Sequence, residues 1–433
     1  MREKWKALIA LLLAAAALLL TACGAGQGAA EATAAPATPA PTPEIVVHAT
    51  LAPATPEPTE APTPTPEPTE ITVGAVGDIM VNVHQVRGAR DDATDTYDFT
   101  RSFVGVREMM RAVDLMCGNL ETTLAGEAAG YTHGQTKSEP SPLFNAPDAI
   151  CDALKDAGVD FLSNANNHVL DKQADGLFRT LDVLDEKGFY HTGAARSLEE
   201  RQTPCIIDVN GIKVGICAAT DYINKHESFL TGDQKDYAVS RLYVAPEAFL
   251  ADIQRTRAAG ADFIIAYPHW DRELRTKATG ETREYARVLL EAGADVVLGS
   301  HSHVVQDAEY VTVERNGAPY TGLVVYSMGN FISNMFPAPE NFGLFVLLTL
   351  QRGTDGTVSL KEARFMPTYC FKVRVGDRDL HQVVPALSDI SLIRSETEMT
   401  KAQKKEVVEC RETVIEACGI EGFSVMEDAC WIN

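Results

Sequence analysis

Ala294-Asp295-Val296-Val297-Leu298-Gly299-Ser300-His301-Ser302-His303 is a short apolar run that breaks off at a glycine into side chains able to hold a metal. Val296–Leu298 has the β-branched, aliphatic character of a buried strand, and Gly299 marks the turn out of it. His301 and His303 are two residues apart, a spacing that can put both rings on the same side of a strand end. The same grammar recurs upstream. The runs Ile71–Val76, Val113–Met116, Val159–Leu162 and Phe263–Ala266 are followed by Gly77-Asp78, Gly118-Asn119-Leu120-Glu121, Asn164-Ala165-Asn166-Asn167-His168 and Pro268-His269-Trp270. A sixth apolar run, Ile212–Ala218, is read without such a cluster.

Between these strands lie amphipathic helical patterns at Pro147–Ala157, Ala174–Lys187, Ala248–Ala259 and Thr282–Ala292. Several of them stop at glycines 158, 188, 260 and 293. Alternating strands and helices predict an α/β fold, in which ligands bind beyond the carboxyl ends of the strands. Any one polar cluster is explained as a turn or a helix cap. Five on one such edge predict a ligand site. After Ser300 the pattern changes to strands with hairpin signals: Val304–Val313, Asn316-Gly317, Leu323–Ser327, Leu344–Leu350, Asp355-Gly356 and Thr357–Phe365, with Asn210-Gly211 as an earlier example. Residues 388–418 read as a helical tail.

The chain has 433 residues, of which 38 are Lys or Arg and 60 Asp or Glu, giving a formal charge of −22 with no basic arm or stripe. Binding to nucleic acid through phosphate neutralisation is therefore not expected. Arg2, Lys4 and Lys6 precede the apolar run Ala7–Leu20, which ends in Thr21-Ala22-Cys23. This is the pattern of a lipoprotein signal peptide, residues 1–22. The apolar run is shorter than the roughly 20 residues that span a bilayer. Lipidation of Cys23 would tether the protein to the outer face of the cell membrane. Residues 24–70 hold six glutamates and no basic residue, with repeats such as Thr55-Pro56-Glu57-Pro58-Thr59-Glu60, so 23–70 reads as an extended, solvated linker. Eight cysteines follow Cys23 without C-x-x-C spacing, which argues against a zinc motif. Cys117, Cys151 and Cys217 read as core residues, and a disulfide among Cys410, Cys418 and Cys430 is left open.

The donors at the strand ends are carboxylates of Asp78 and Glu121, the amide of Asn167, and imidazoles of His269, His301 and His303. Oxygen and nitrogen ligation without thiolate suits manganese, iron or zinc. Together with Gly77-Asp78-Ile79-Met80, Asn166-Asn167-His168 with Asp171, His269-Trp270 with Glu273, and Tyr326-Ser327-Met328-Gly329-Asn330-Phe331, these motifs form an ordered set. Over about residues 71–365 the sequence resembles the CapA family, the capsule and poly-γ-glutamate synthesis proteins related to calcineurin-like metallophosphatases. The resemblance implies a four-layer α/β/β/α sandwich, metallophosphoesterase-like, spanning 71–385, with the helical extension 386–433. It also implies a centre for two divalent ions. Asp78, Asn167, His269, His301 and His303 become ligands and Glu121 the bridging one. His168 would be the proton donor or charge stabiliser, oriented by Asp171, three residues on, if the segment is helical. Asn119, Asn166, Trp270, Glu273 and Asn330 are supporting or substrate-contacting positions.

Two departures from the wider phosphatase pattern bear on activity. Asp-x-His becomes Asp78-Ile79-Met80, which removes an imidazole that His84 or Asn82 could replace, and G-D-x-x-D becomes Gly118-Asn119-Leu120-Glu121. Arg272 and Arg275 read either as contacts to an anionic group or as a solvated helix face. Trp270 and Phe331 read as groove or core residues, and His48, His133, His191, His226 and His381 as ordinary ones. The expected function is synthesis, anchoring or trimming of a surface polymer such as poly-γ-glutamate by metal-assisted hydrolysis or transfer on a phosphoester or γ-glutamyl amide. The alternatives are a non-catalytic scaffold for membrane polymer-synthase subunits and a phosphoesterase unrelated to capsule.

Overall fold

The apolar runs assemble into two mixed sheets in a computed structural model of the chain, which describes residues 69–132 and 143–428. These residues belong to one compact unit, Pro64–Asn433. The leader, Cys23, His48, His133 and Cys430 lie outside the described residues. The first sheet runs Arg378–Pro385, Val358–Val375, Phe342–Arg352, Thr69–Ile79, Leu115–Leu120, Phe161–Ser163, Tyr190–Thr192. Asn330–Ile332 lies beside Thr69–Ile79, and Phe423–Val425 beside Val358–Val375. The second sheet runs Ala308–Arg315, Ala318–Val325, Val296–Leu298, Phe263–His269, Ile212–Thr220, Cys205–Val209.

Within each sheet the strands followed by polar clusters are parallel: Thr69–Ile79 with Leu115–Leu120 and Phe161–Ser163, and Phe263–His269 with Val296–Leu298. The single edge expected from the sequence is thus the carboxyl edges of two sheets. The reason lies in the side chains. Along Thr69–Ile79, Ile71, Val73 and Ala75 face one core and Val76 and Ile79 the other. Ile71, Val73 and Ala75 meet Ile212, Val214, Ile216, Phe263, Ile265, Val296 and Leu298 of the second sheet in one buried cluster. Val76, Met116, Leu162 and Phe345 pack instead against helical residues Met109, Met110, Ile150, Leu154, Val183 and Leu184. Helices Pro246–Ala258 and Gly280–Ala292 cover the outer face of the second sheet. The result is the four-layer α/β/β/α sandwich.

Three differences from the sequence reading have local causes. The strand expected to end at Phe365 continues to Val375 and returns as Arg378–Pro385, because Phe365, Met366, Tyr369, Cys370 and Phe371 are all buried, so the run is apolar on both faces. Leu115–Leu120 takes in Gly118-Asn119, which the sequence placed after the strand. The tail forms helix Lys401–Cys418, capped by Thr400 and Gln403 in a reciprocal box. Its Val407, Cys410, Val414 and Cys418 join the core between the sheets. Cys410 and Cys418 are free thiols there. Among the described residues no helix is long and apolar enough to cross a membrane.

Candidate metal centre

Close backbone approaches shape the edge of the first sheet. A Cβ on Gly77 would lie 1.9 Å from the Gly329 carbonyl oxygen, so only glycine lets Asn330–Ile332 dock beside Asp78. The register of Thr69–Ile79 against Leu115–Leu120 shifts between Ala75 and Asp78, an irregularity of the kind that re-aims a side chain at a sheet end. On the second sheet, a Cβ on Gly299 would lie 2.1 Å from the Tyr326 carbonyl oxygen and 2.5 Å from the Trp270 indole nitrogen. The chain then enters the loop that carries His301 (φ 95°) and His303 (φ 58°), backbone conformations that cost side-chain-bearing residues about 1–3 kcal/mol each. The tight packing around the loop holds that strain in place.

Asp78, Glu121, His269, His301 and His303 are all buried. One Asp78 oxygen accepts from the Asn119 amide at 2.8 Å and lies 3.8 Å from His269 Nδ1. The other accepts the His301 backbone N–H at 3.2 Å and lies 3.4 Å from His303 Nδ1. Glu121 Oε1 sits 3.7 Å from His269 Nε2 and 3.9 Å from His303 Nε2. Neither Glu121 oxygen has a hydrogen-bond partner, and neither has His301 Nδ1. Ligand atoms of Glu121, His301 and His303 lie within 4.8 Å of one another, as do those of Asp78, Glu121 and His269.

The electrostatics follow from burial. Loss of solvent, with Asp78, Glu273 and Asp171 nearby, raises the Glu121 carboxyl well above its usual range. Burial and the neighbouring histidines hold His269 well below, and His301 down to about 3. For His303 burial pulls downward, but hydrogen bonding and charge from Asp78 outweigh it and the net shift is upward. A buried carboxyl with both oxygens unpaired is costly for a folded chain, and a cation between it and neutral imidazoles removes that cost. The donor set fits a hard to borderline divalent ion.

The supporting residues orient these groups. Asn330 Oδ1 accepts from His303 Nδ1 at 3.0 Å while its amide donates to the Glu340 carbonyl at 2.8 Å, which leaves His303 Nε2 free to ligate. His269 Nδ1 lies 3.0 Å from Ser300 Oγ and 3.2 Å from the Asn119 amide, and its Nε2 lies 3.0 Å from Asn167 Oδ1. Asn166 donates to the Leu120 carbonyl at 2.8 Å and so ties its loop to the Glu121 strand end. His168 Nδ1 lies 2.6 Å from Asp171 Oδ2, which also accepts the Phe144 N–H at 2.7 Å. The segment is a series of turns rather than a helix. A carboxylate can only accept, so His168 Nδ1–H donates to Asp171 and Nε2 is left as the exchanging atom.

Other expectations are corrected. Asn82 caps helix Val83–Ala89, and His84, nearly half exposed, lies 3.4 Å from Asp379, so neither replaces the imidazole missing at Met80. Trp270 is fully buried, donates to the Tyr326 carbonyl at 2.9 Å and lines no groove. Phe331 stacks on Phe103 in the core. Arg272 and Arg275 lie on a loop, not a helix face. His226, taken as ordinary, sits 3.8 Å from the second Asp171 oxygen. Glu273 is exposed beside the centre, at the rim of a cavity of about 580 Å³. Tyr222, Asn224, Lys225, Arg241, Arg272 and His301 share that lining. The sequence reading ended the strand that begins at Ile212 at Ala218. It runs to Thr220, and Asp221–Lys225 is its carboxyl-end loop. Position alone was the signal for Tyr222 and Asn224, whereas Arg241 had none.

A profile described as bacterial capsule synthesis protein PGA_cap matches residues 72–335, which contain every residue of this centre. The chain belongs to this family. Capsule biosynthesis protein CapA of Bacillus anthracis is 26% identical over 278 residues, covering 63% of this chain and 62% of that protein. PGA biosynthesis protein CapA of Bacillus subtilis strain 168 is 27% identical over 264 residues, covering 60% and 63%. The chain thus spans less than two thirds of the length of these capsule-family relatives. Among solved structures, the NAD nucleotidase NadN of Haemophilus influenzae aligns over 83% of this chain and 65% of its own at 14% identity, with a TM-score of 0.42.

Proposed function

We propose that this capsule-family chain is a metal-dependent hydrolase or transferase that acts on a surface polymer such as poly-γ-glutamate while tethered through lipidated Cys23 to the outer face of the cell membrane. The names of the two Bacillus relatives support the polymer. The basic, apolar and Thr21-Ala22-Cys23 succession supports the tether. One observation carries the chemistry: Glu121 is buried with both oxygens unpaired among His269, His301, His303 and Asp78. It is common to both three-residue groups, so Glu121 would help to hold either of two divalent ions, of manganese, iron or zinc.

A divalent ion held here supplies Lewis acidity and a water ionised near neutral pH. The chain's own residues do the rest. Asn330 and Ser300 fix the imidazoles, Asp78 is held by Asn119, and His168, its Nδ1–H hydrogen-bonded to Asp171, presents Nε2 to give a proton to a leaving group or to stabilise charge. A phosphoester and a γ-glutamyl amide both meet these requirements.

A second reading, a scaffold that holds polymer beside membrane synthase subunits, is favoured by Met80 standing where an imidazole would complete one site. Elemental mass spectrometry of the full chain, beside His301→Ala/His303→Ala, separates the two. One to two ions per chain, lost in the double variant, supports the hydrolase. No ion after incubation with manganese, iron or zinc leaves the scaffold.

A further inference from the structure

Arg241 is anchored at the carboxyl end of the second sheet, where its backbone bridges to Thr220 and the flanking Leu242 N–H donates to the Thr220 carbonyl at 3.0 Å. Its side chain is 13% exposed and forms part of the 580 Å³ cavity that also opens onto His301. The guanidinium is under-used. Nη2 donates to the Asp221 carbonyl at 3.2 Å, Glu227 is 3.8 Å away on a mostly exposed side chain, and the buried Nε has no partner. Burial pulls this cation's pKa down despite Glu227 and Asp221. Arg255, by contrast, is satisfied by Asp252 on its own helix. A guanidinium that lines a cavity with only a distant carboxylate beside it is suited to bind a carboxylate or phosphate through its N–H groups.

The surroundings fit such a guest. Lys225 and Arg272 share the lining, as do Glu227, Asp271 and Glu273, so with Arg241 the cavity carries three cations and three carboxylates within a chain of net charge −22. The Tyr222 ring lies 5.4 Å from that of His301 and is 44% exposed, offering an apolar wall. Asn224 accepts from the Asn167 amide at 3.4 Å, so the loop is joined to the metal edge itself. We infer that this cavity is a subsite for an oxyanion of the substrate, a carboxylate or a phosphate, anchored by Arg241 and flanked by Lys225 and Arg272. Through His301 the subsite abuts the metal centre. The inference rests on the proposed function in taking the bound group to belong to the molecule acted upon.

The test is calorimetric titration of the full chain, loaded with manganese or zinc, with three probes: a γ-linked glutamate oligomer, the same oligomer with its carboxylates amidated, and inorganic phosphate. Arg241→Gln is expected to weaken binding of the acidic probe about 10- to 100-fold, as loss of a charged hydrogen-bonding partner does. Arg241→Lys should be intermediate, and bound metal should stay unchanged in both. Circular dichroism checks the fold of each, and Arg241→Lys with Arg272→Gln carries the test if Arg241→Gln does not fold. Binding of the acidic but not the amidated oligomer assigns a carboxylate, and binding of phosphate alone assigns a phosphate. Binding of neither, or equal binding by the folded variants, overturns the subsite. Normal metal content with no Arg241 dependence removes the subsite and leaves the metal reading intact. Arg241-dependent binding without metal does the reverse.

Discussion

The strand Val296–Leu298 has a buried acid at one end and buried histidines at the other, and the chain treats them in opposite ways. Asp295, before the strand, is saturated: Arg315 Nη1 donates to one oxygen at 2.7 Å, and the Ile264 N–H, at 2.8 Å, and Arg257 donate to the other. Beyond the strand, His301 Nδ1 and both oxygens of the facing Glu121 have no partner. Both ends are buried, so the difference marks purpose. A charge that serves the fold is closed by its own chain, whereas a charge that serves a ligand is left open, and the ligand completes it.

The comparison can be broken most forcefully at Asp295. Asp295→Ala would take the shared carboxylate from two arginines, which keep backbone carbonyl partners, and leave the Ile264 N–H without its acceptor; it is expected to cost about 3 kcal/mol in urea denaturation, while metal bound per folded molecule stays constant. A loss of metal affinity without loss of stability would mean that the two ends are not separate in role.

At the open end the next largest effect is expected from Asn330→Ala. Without Oδ1 to accept the His303 Nδ1–H hydrogen bond, metal affinity should fall about 10- to 100-fold in a competition titration with a chelator. Unchanged affinity would show that Asp78, 3.4 Å from the same nitrogen, orients the ring unaided.

The smallest effect is also the most pointed, because its sign is opposite to that at Asp295. In the metal-free chain, Glu121→Met is expected to raise stability by about 1 kcal/mol at neutral pH, since an apolar side chain replaces an unpaired buried carboxyl. The raised pKa of Glu121 is present only in the folded state. Its contribution is therefore whole below the unfolded value of about 4.3 and is lost as pH rises from there through the folded value. Thermal melts from pH 4 to 8 should show this decline in the parent and a shallower one in the variant. Equal slopes would place the uncompensated charge elsewhere.

Much of this was legible in the chain itself. Runs such as Val296–Leu298 and Phe263–Ala266, each broken by polar residues, marked the parallel strands because hydrophobic pattern and turn residues are local properties. The side chains of the candidate metal centre were visible for the same reason, as was the family resemblance they carry. The sequence did not reveal which sheet each strand would join, nor that Trp270 would turn inward to the Tyr326 carbonyl, nor that His84 would face Asp379.

Residue types and their order determined an α/β chain with donors at its strand ends, since alternation and turn chemistry act over a few residues. Only the tertiary structure decided that Glu121 would be left without partners and that Arg241, more than a hundred positions further along, would open onto the same edge. Whether a buried polar atom is satisfied depends on what distant segments bring to it, and that is settled when the two sheets close on one another.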